Sequence, residues 1–157
     1  MIPSNNLSRQ GHRLLQIGVA LILFTCFEGF AVPYFASPDL GRSVHTLSAL
    51  SAALLLALGL TRPRLTLGEL AAQVAFWLLV YSDFAIVTAF LMGAIWGAGN
   101  STMPIAAGAA HGTDSQEMAI AIVAYTSAPT GIISFALILW GLRIEPLQAV
   151  KDREAIR

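Results

Sequence analysis

A chain of 157 residues that is 56% hydrophobic and only 11% charged, where a soluble domain carries about 25%, is too apolar for an ordinary water-soluble fold. Its nine basic and nine acidic residues cancel, which leaves no excess charge to favour nucleic acid, and the single cysteine, Cys26, excludes an intrachain disulfide. Four apolar runs, near residues 14–35, 43–60, 70–96 and 117–142, reach the ~18–20 residues that a helix needs to cross a bilayer. The predicted fold is therefore all-α: an integral membrane four-helix bundle over residues 1–143, followed by a polar tail over 144–157.

The first run is too long for a signal-peptide core and has no small-residue cleavage site placed to follow it, so it is expected to stay as a helix ending near Pro33. Residues 36–41, with Pro38 and Asp39, are expected to form a tight turn. The second run has a small-sided face, with His45, Ser48, Ala49, Ser51, Ala52 and Ala53 recurring at helical spacing. The short link 61–68 makes the second and third helices antiparallel neighbours. The third run ends in Trp96, a residue type common at membrane interfaces. Residues 97–115, rich in Gly and Ala, are expected to fold back over the bundle mouth. Asp114 or Ser115 is the expected N-cap of the fourth helix, whose interior Pro129 predicts a kink.

Basic residues set the expected orientation. Eight of the nine lie before the first run, in the 61–68 link or after the fourth run; only Arg42 lies in the other connections. Both termini are thus expected to be cytoplasmic.

Polar groups inside such runs are costly and mark function. His45, on its small-residue face, reads either as an axial ligand to a metal or haem or as an interfacial histidine bonded to a carbonyl. Asp83 has only apolar helical neighbours (Phe76, Val80, Val87 and Phe90) and reads either as a proton-transfer group or as a structural partner of Ser51 or Thr126. Glu28 can pair with His45 across the turn and fix its ring, or bond to backbone near Pro33. By depth, Glu28, His45 and Tyr125 are expected to meet near one end of the bundle. Phosphate loops, CxxC, HExxH and nucleophile elbows are all missing from the sequence.

The segments Val74-Ala75-Phe76-Trp77-Leu78-Leu79-Val80-Tyr81, Trp96-Gly97-Ala98-Gly99, Met103-Pro104-Ile105-Ala106-Ala107-Gly108 and Gly112-Thr113, followed by Gln116-Glu117, resemble the hydroxylaminobenzene mutases. More distantly, the chain resembles styrene oxide isomerase, whose axial histidine begins the second helix, as His45 does here. These resemblances imply a homotrimer in a bacterial cytoplasmic membrane. They imply isomerisation of aryl hydroxylamines to aminophenols, with a small apolar aromatic substrate reaching the site through lipid. They also imply haem b, its ferric iron held by His45 as a Lewis acid, with Ser48, Ala49 and Ala52 beside it. Asp83 and Tyr125 are the candidates for substrate polarisation or proton transfer, and Ser51 for a weaker form of an asparagine contact expected at its position. Ile86 stands where a second asparagine is expected. The competing readings are an epoxide isomerase, a non-catalytic haem-binding or assembly protein, and, last, a proton-coupled transporter.

Overall fold

The computed structural model describes residues 4–143, with side chains from residue 9 onward; the predicted tail at 144–157 lies outside the described residues. Every regular element among the described residues is helical. α1 spans Ser4–Ala31, α2 Pro38–Thr61, α3 Glu69–Trp96, α4 the single turn Pro104–Ala107, and α5 Asp114–Gly141. Four of these helices are long and apolar enough to cross a membrane. Large side chains such as Val19, Leu23, Phe27 and Phe30 stay exposed along α1, as a lipid-facing stripe requires.

The helices pack as two hairpins, α1 against α2 and α3 against α5, joined by a thinner contact between α2 and α3. Small residues allow the first crossing. A Cβ on Gly11 would lie 3.0 Å from the Gly59 carbonyl oxygen, and one on Gly59 would lie 3.0 Å from that of Gly11. In the second hairpin, Gly131 leaves room for Ser82, whose hydroxyl donates to the Ser127 carbonyl at 2.8 Å. Ser134 donates in the same way to the Ala75 carbonyl at 2.8 Å. These bonds satisfy hydroxyls that lipid could not. Leu21, Leu55, Phe76, Leu79 and Ile138 fill the core between the hairpins.

Several boundaries differ from expectation. α2 begins at Pro38, so the predicted turn over 36–41 shrinks to the residues before it. Proline suits the first helical turn because its missing N–H has no partner there anyway, and Asp39 favours the helix start. The N-cap of α5 is Thr113, not Asp114 or Ser115: its hydroxyl accepts from Gln116 N while the Gln116 side chain accepts from Thr113 N. α5 continues through Pro129 as one helix.

Residues 97–113 fold over the ends of α2 and α3, as expected. Gly97 ends α3 in the left-handed region at φ 64°, where glycine carries no Cβ penalty. Ala107 then packs with Leu40, Val44, Val87 and Ala94. The opposite end holds Arg62, buried, with its guanidinium bonded to Gln10.

Candidate functional site

A ladder of polar residues runs along the side of α2 that meets α1 and α3. His45, Ser48 and Ser51 recur every third position, and each meets a polar group on a neighbouring helix. The His45 Nδ1 lies 3.2 Å from Glu28 Oε2 on α1. The Ser48 and Thr25 hydroxyls are 2.8 Å apart. The Ser51 hydroxyl donates to Asp83 Oδ1 on α3 at 3.3 Å, which realises the structural partner considered for Asp83. At ~1.5 Å rise per residue, Ser51 sits ~9 Å along the axis from His45. Both carboxyls keep one buried oxygen without a hydrogen-bond partner, Glu28 Oε1 and Asp83 Oδ2.

The upper rung is asymmetric. The Glu28 side chain is 2% exposed and that of His45 is 47% exposed. Glu28 therefore holds the inner edge of an imidazole whose other edge faces outward. Gly29 forms the floor beneath the ring: a Cβ there would lie 3.0 Å from His45 Cε1 and 3.1 Å from Nδ1. Gly29→Val is expected to force the ring from this position and break the Glu28 contact, with little change in helix content. Histidine nuclear magnetic resonance shifts in detergent check it; wild-type shifts in the variant would show that the floor does not position the ring.

Among the described residues, no group of three or more His, Cys, Asp or Glu side chains is placed to hold a bare metal ion. A porphyrin-held iron has a smaller requirement, since the macrocycle supplies four nitrogens and the protein one axial imidazole. His45, oriented by a carboxylate and open at its outer edge, fits that requirement.

The structure separates the remaining candidate residues. Ala49, one turn from His45, shares its exposed face. Ser48 and Ala52 are fully buried against α1: Ser48 is bonded to Thr25, and the Ala52 carbonyl lies close to Gly18. Tyr125 does not join Glu28 and His45, because α5 packs on α3 rather than on the first hairpin, and its side chain is 64% exposed. An apolar groove of about 220 Å³ runs between α1 and α3, lined by residues including Ile17, Leu21, Phe24, Phe84 and Val87, with Thr88 its one hydroxyl.

Two sets of contacts escaped sequence reasoning. Thr25 lies one turn before Glu28, as Ser48 lies one turn after His45; that matched spacing was the available signal. Glu117 ties the loop to α5. Its Oε1 accepts from Gly99 N at 2.7 Å and Gly112 N at 3.1 Å, and its Oε2 accepts from Ser101 N at 3.1 Å and from the Ser101 hydroxyl.

The pattern of the family described as styrene oxide isomerase matches residues 10–143, nearly all of the described bundle. The chain belongs to the styrene oxide isomerase family. Within reach of that family are two curated relatives from Ectopseudomonas oleovorans. Hydroxylaminobenzene mutase HabB is 43% identical over 143 residues, covering 91% of this chain and 87% of the relative. Hydroxylaminobenzene mutase HabA is 30% identical over 129 residues, covering 82% and 96%. No solved structure matches the chain. Family membership and four spanning helices make this a multi-pass membrane protein of mutase or isomerase type. The motifs that carried the resemblance now have physical roles: those at 96–99, 112–113 and 116–117 build the α3 cap, the α5 capping box and the Glu117 clamp.

Proposed function

We propose that the protein is a membrane isomerase of hydroxylaminobenzene-mutase type that rearranges aryl hydroxylamines to aminophenols, using haem b held by His45. The observation that carries this reading is the half-exposed imidazole, oriented on its inner edge by a buried carboxylate and open on its outer edge. The 43% identity to a hydroxylaminobenzene mutase favours the substrate class. Ferric haem, when bound, supplies a Lewis acid that weakens a bond to oxygen without net redox change.

The chain's own residues supply the rest. Ala49 leaves a flat approach beside His45. The α1–α3 groove suits a small apolar aromatic arriving from lipid. Asp83, fixed by Ser51 through one oxygen and unpartnered at the other, is the group for proton transfer. Tyr125 is exposed on α5, which packs on α3 rather than on the hairpin that carries His45, so its role in polarising substrate requires a site shared with another copy. A homotrimer provides one. The proposed setting is a bacterial cytoplasmic membrane, and the distribution of basic residues supports placing both termini on its cytoplasmic side.

The family match favours a second substrate class, epoxides rearranged by the same polarisation of a carbon–oxygen bond. Purified haem-loaded protein, given phenylhydroxylamine or styrene oxide without any redox partner, separates the readings. Formation of an aminophenol, with His45→Ala reducing turnover by a hundredfold or more, is the expected result. Conversion of the epoxide alone would replace the first reading with the second. No turnover of either substrate by intact holoprotein would leave a non-catalytic haem-binding protein.

A further inference from the structure

We propose that Glu28 is a positioning residue that sets both the tautomer and the donor strength of His45, so that iron bound at Nε2 is held in the ferric state. The inference deepens the haem reading above and rests on it. Glu28 Oε2 lies 3.2 Å from Nδ1, so a carboxylate there accepts the Nδ1–H bond and leaves the ring's lone pair at Nε2. The reverse tautomer would turn an N–H toward any metal and could not ligate it.

Two further features point beyond simple orientation. Glu28 has no competing hydrogen bond among the described residues: its side chain is buried, Oε1 is unpartnered, and Oε2 meets His45. Its full acceptor strength is thus directed at one imidazole in a region of low dielectric, where hydrogen bonds are stronger. A neutral glutamine oxygen would accept the same bond at a lower cost of insertion into lipid. What the carboxylate adds is negative charge, passed through the ring to the metal, and such an outer partner raises the basicity of a histidine ligand. That charge favours Fe(III) over Fe(II). A redox-neutral rearrangement driven by a Lewis acid needs the iron to stay ferric.

The test uses full-length protein in detergent as wild type, Glu28→Gln, Glu28→Leu and Glu28→Asp. Without cofactor, nitrogen-15 shifts of His45 are expected to show Nδ1 protonated in wild type and Glu28→Gln, and mixed tautomers in Glu28→Leu. With haem bound, spectroelectrochemical titration is expected to show Glu28→Gln losing at least tenfold of its ferric preference, about 59 mV for a one-electron couple. Glu28→Asp should recover part of that loss, which a purely structural role does not predict. An unchanged potential in Glu28→Gln, with a His45-dependent haem band present, overturns this inference alone. A wild type without that band overturns the haem reading and this inference together, and a protonated Nε2 in wild type overturns the tautomer assignment.

Discussion

His45→Ala is expected to abolish the haem absorption band of the purified protein while leaving helix content and yield near wild type. His45 lies close to one end of the bundle with its side chain half exposed, so removing the ring opens no cavity in the core. The variant strands Glu28 without its partner, a cost confined to one rung of the ladder. Binding, by contrast, depends on it, since His45 is the histidine that α2 carries, and His12 and His111 lie outside that helix. Wild type, expressed with haem supplied, should show a Soret band, the signature of bound haem, and the variant less than a tenth of it. Added imidazole should restore part of the band in His45→Gly, where the vacated space admits it. A colourless wild type, or a coloured His45→Ala, would remove His45 from the centre of the mechanism.

Glu117→Ala is expected to release the 97–113 loop from the bundle without unfolding the helices. One carboxylate gathers three backbone amides and a hydroxyl from three points along that loop, and it does so from the first turn of α5, where the helix dipole favours negative charge. Hydrogen bonds to a charged group contribute about 1.5–3 kcal/mol each when sheltered. The site is solvent-accessible, so screening reduces the total, and about 1–3 kcal/mol is a reasonable expectation for the loop as a unit. That corresponds to roughly ten- to a hundredfold more frequent opening. Limited proteolysis and hydrogen exchange across 97–113 read it directly; Glu117→Gln should fall between alanine and wild type. Unchanged protection in the alanine variant would mean that the contacts of Ala107 with Leu40 and Val44 hold the loop unaided.

The helices, their number and the pairing of Glu28 with His45 were legible in the sequence because each depends on short-range pattern. Apolar runs of bilayer length leave few alternatives, and a brief turn brings the end of one helix beside the start of the next. The Ser51–Asp83 contact was legible as one of two options, since a lone carboxyl in an apolar helix must find a hydroxyl. Placement around the helix axis was harder to read. Ser48 and Ala52 share the small face of α2 with Ala49, yet they turn into the α1 contact, and only knowledge of which helix lies on which side decides this. Tyr125 failed for the same reason. Depth alone put it level with His45, whereas the pairing of α5 with α3 puts it on an outer surface. The Glu117 clamp escaped because most of its partners are backbone amides, and no side-chain pattern announces those.

The division into two hairpins bears on how the chain is made. Synthesis runs from the N-terminus, so α1 and α2 enter the bilayer before α3 exists. Glu28 finds His45, and Thr25 finds Ser48, within that first half, so its costly polar groups are matched before the rest arrives. Asp83 has no such partner inside its own hairpin; the hydroxyl that receives it is Ser51 of the first. The later half thus carries an unmatched acid into lipid until it docks on the earlier one. The early hairpin is a template, and the buried carboxyl of α3 gives the late arrival its reason to find it.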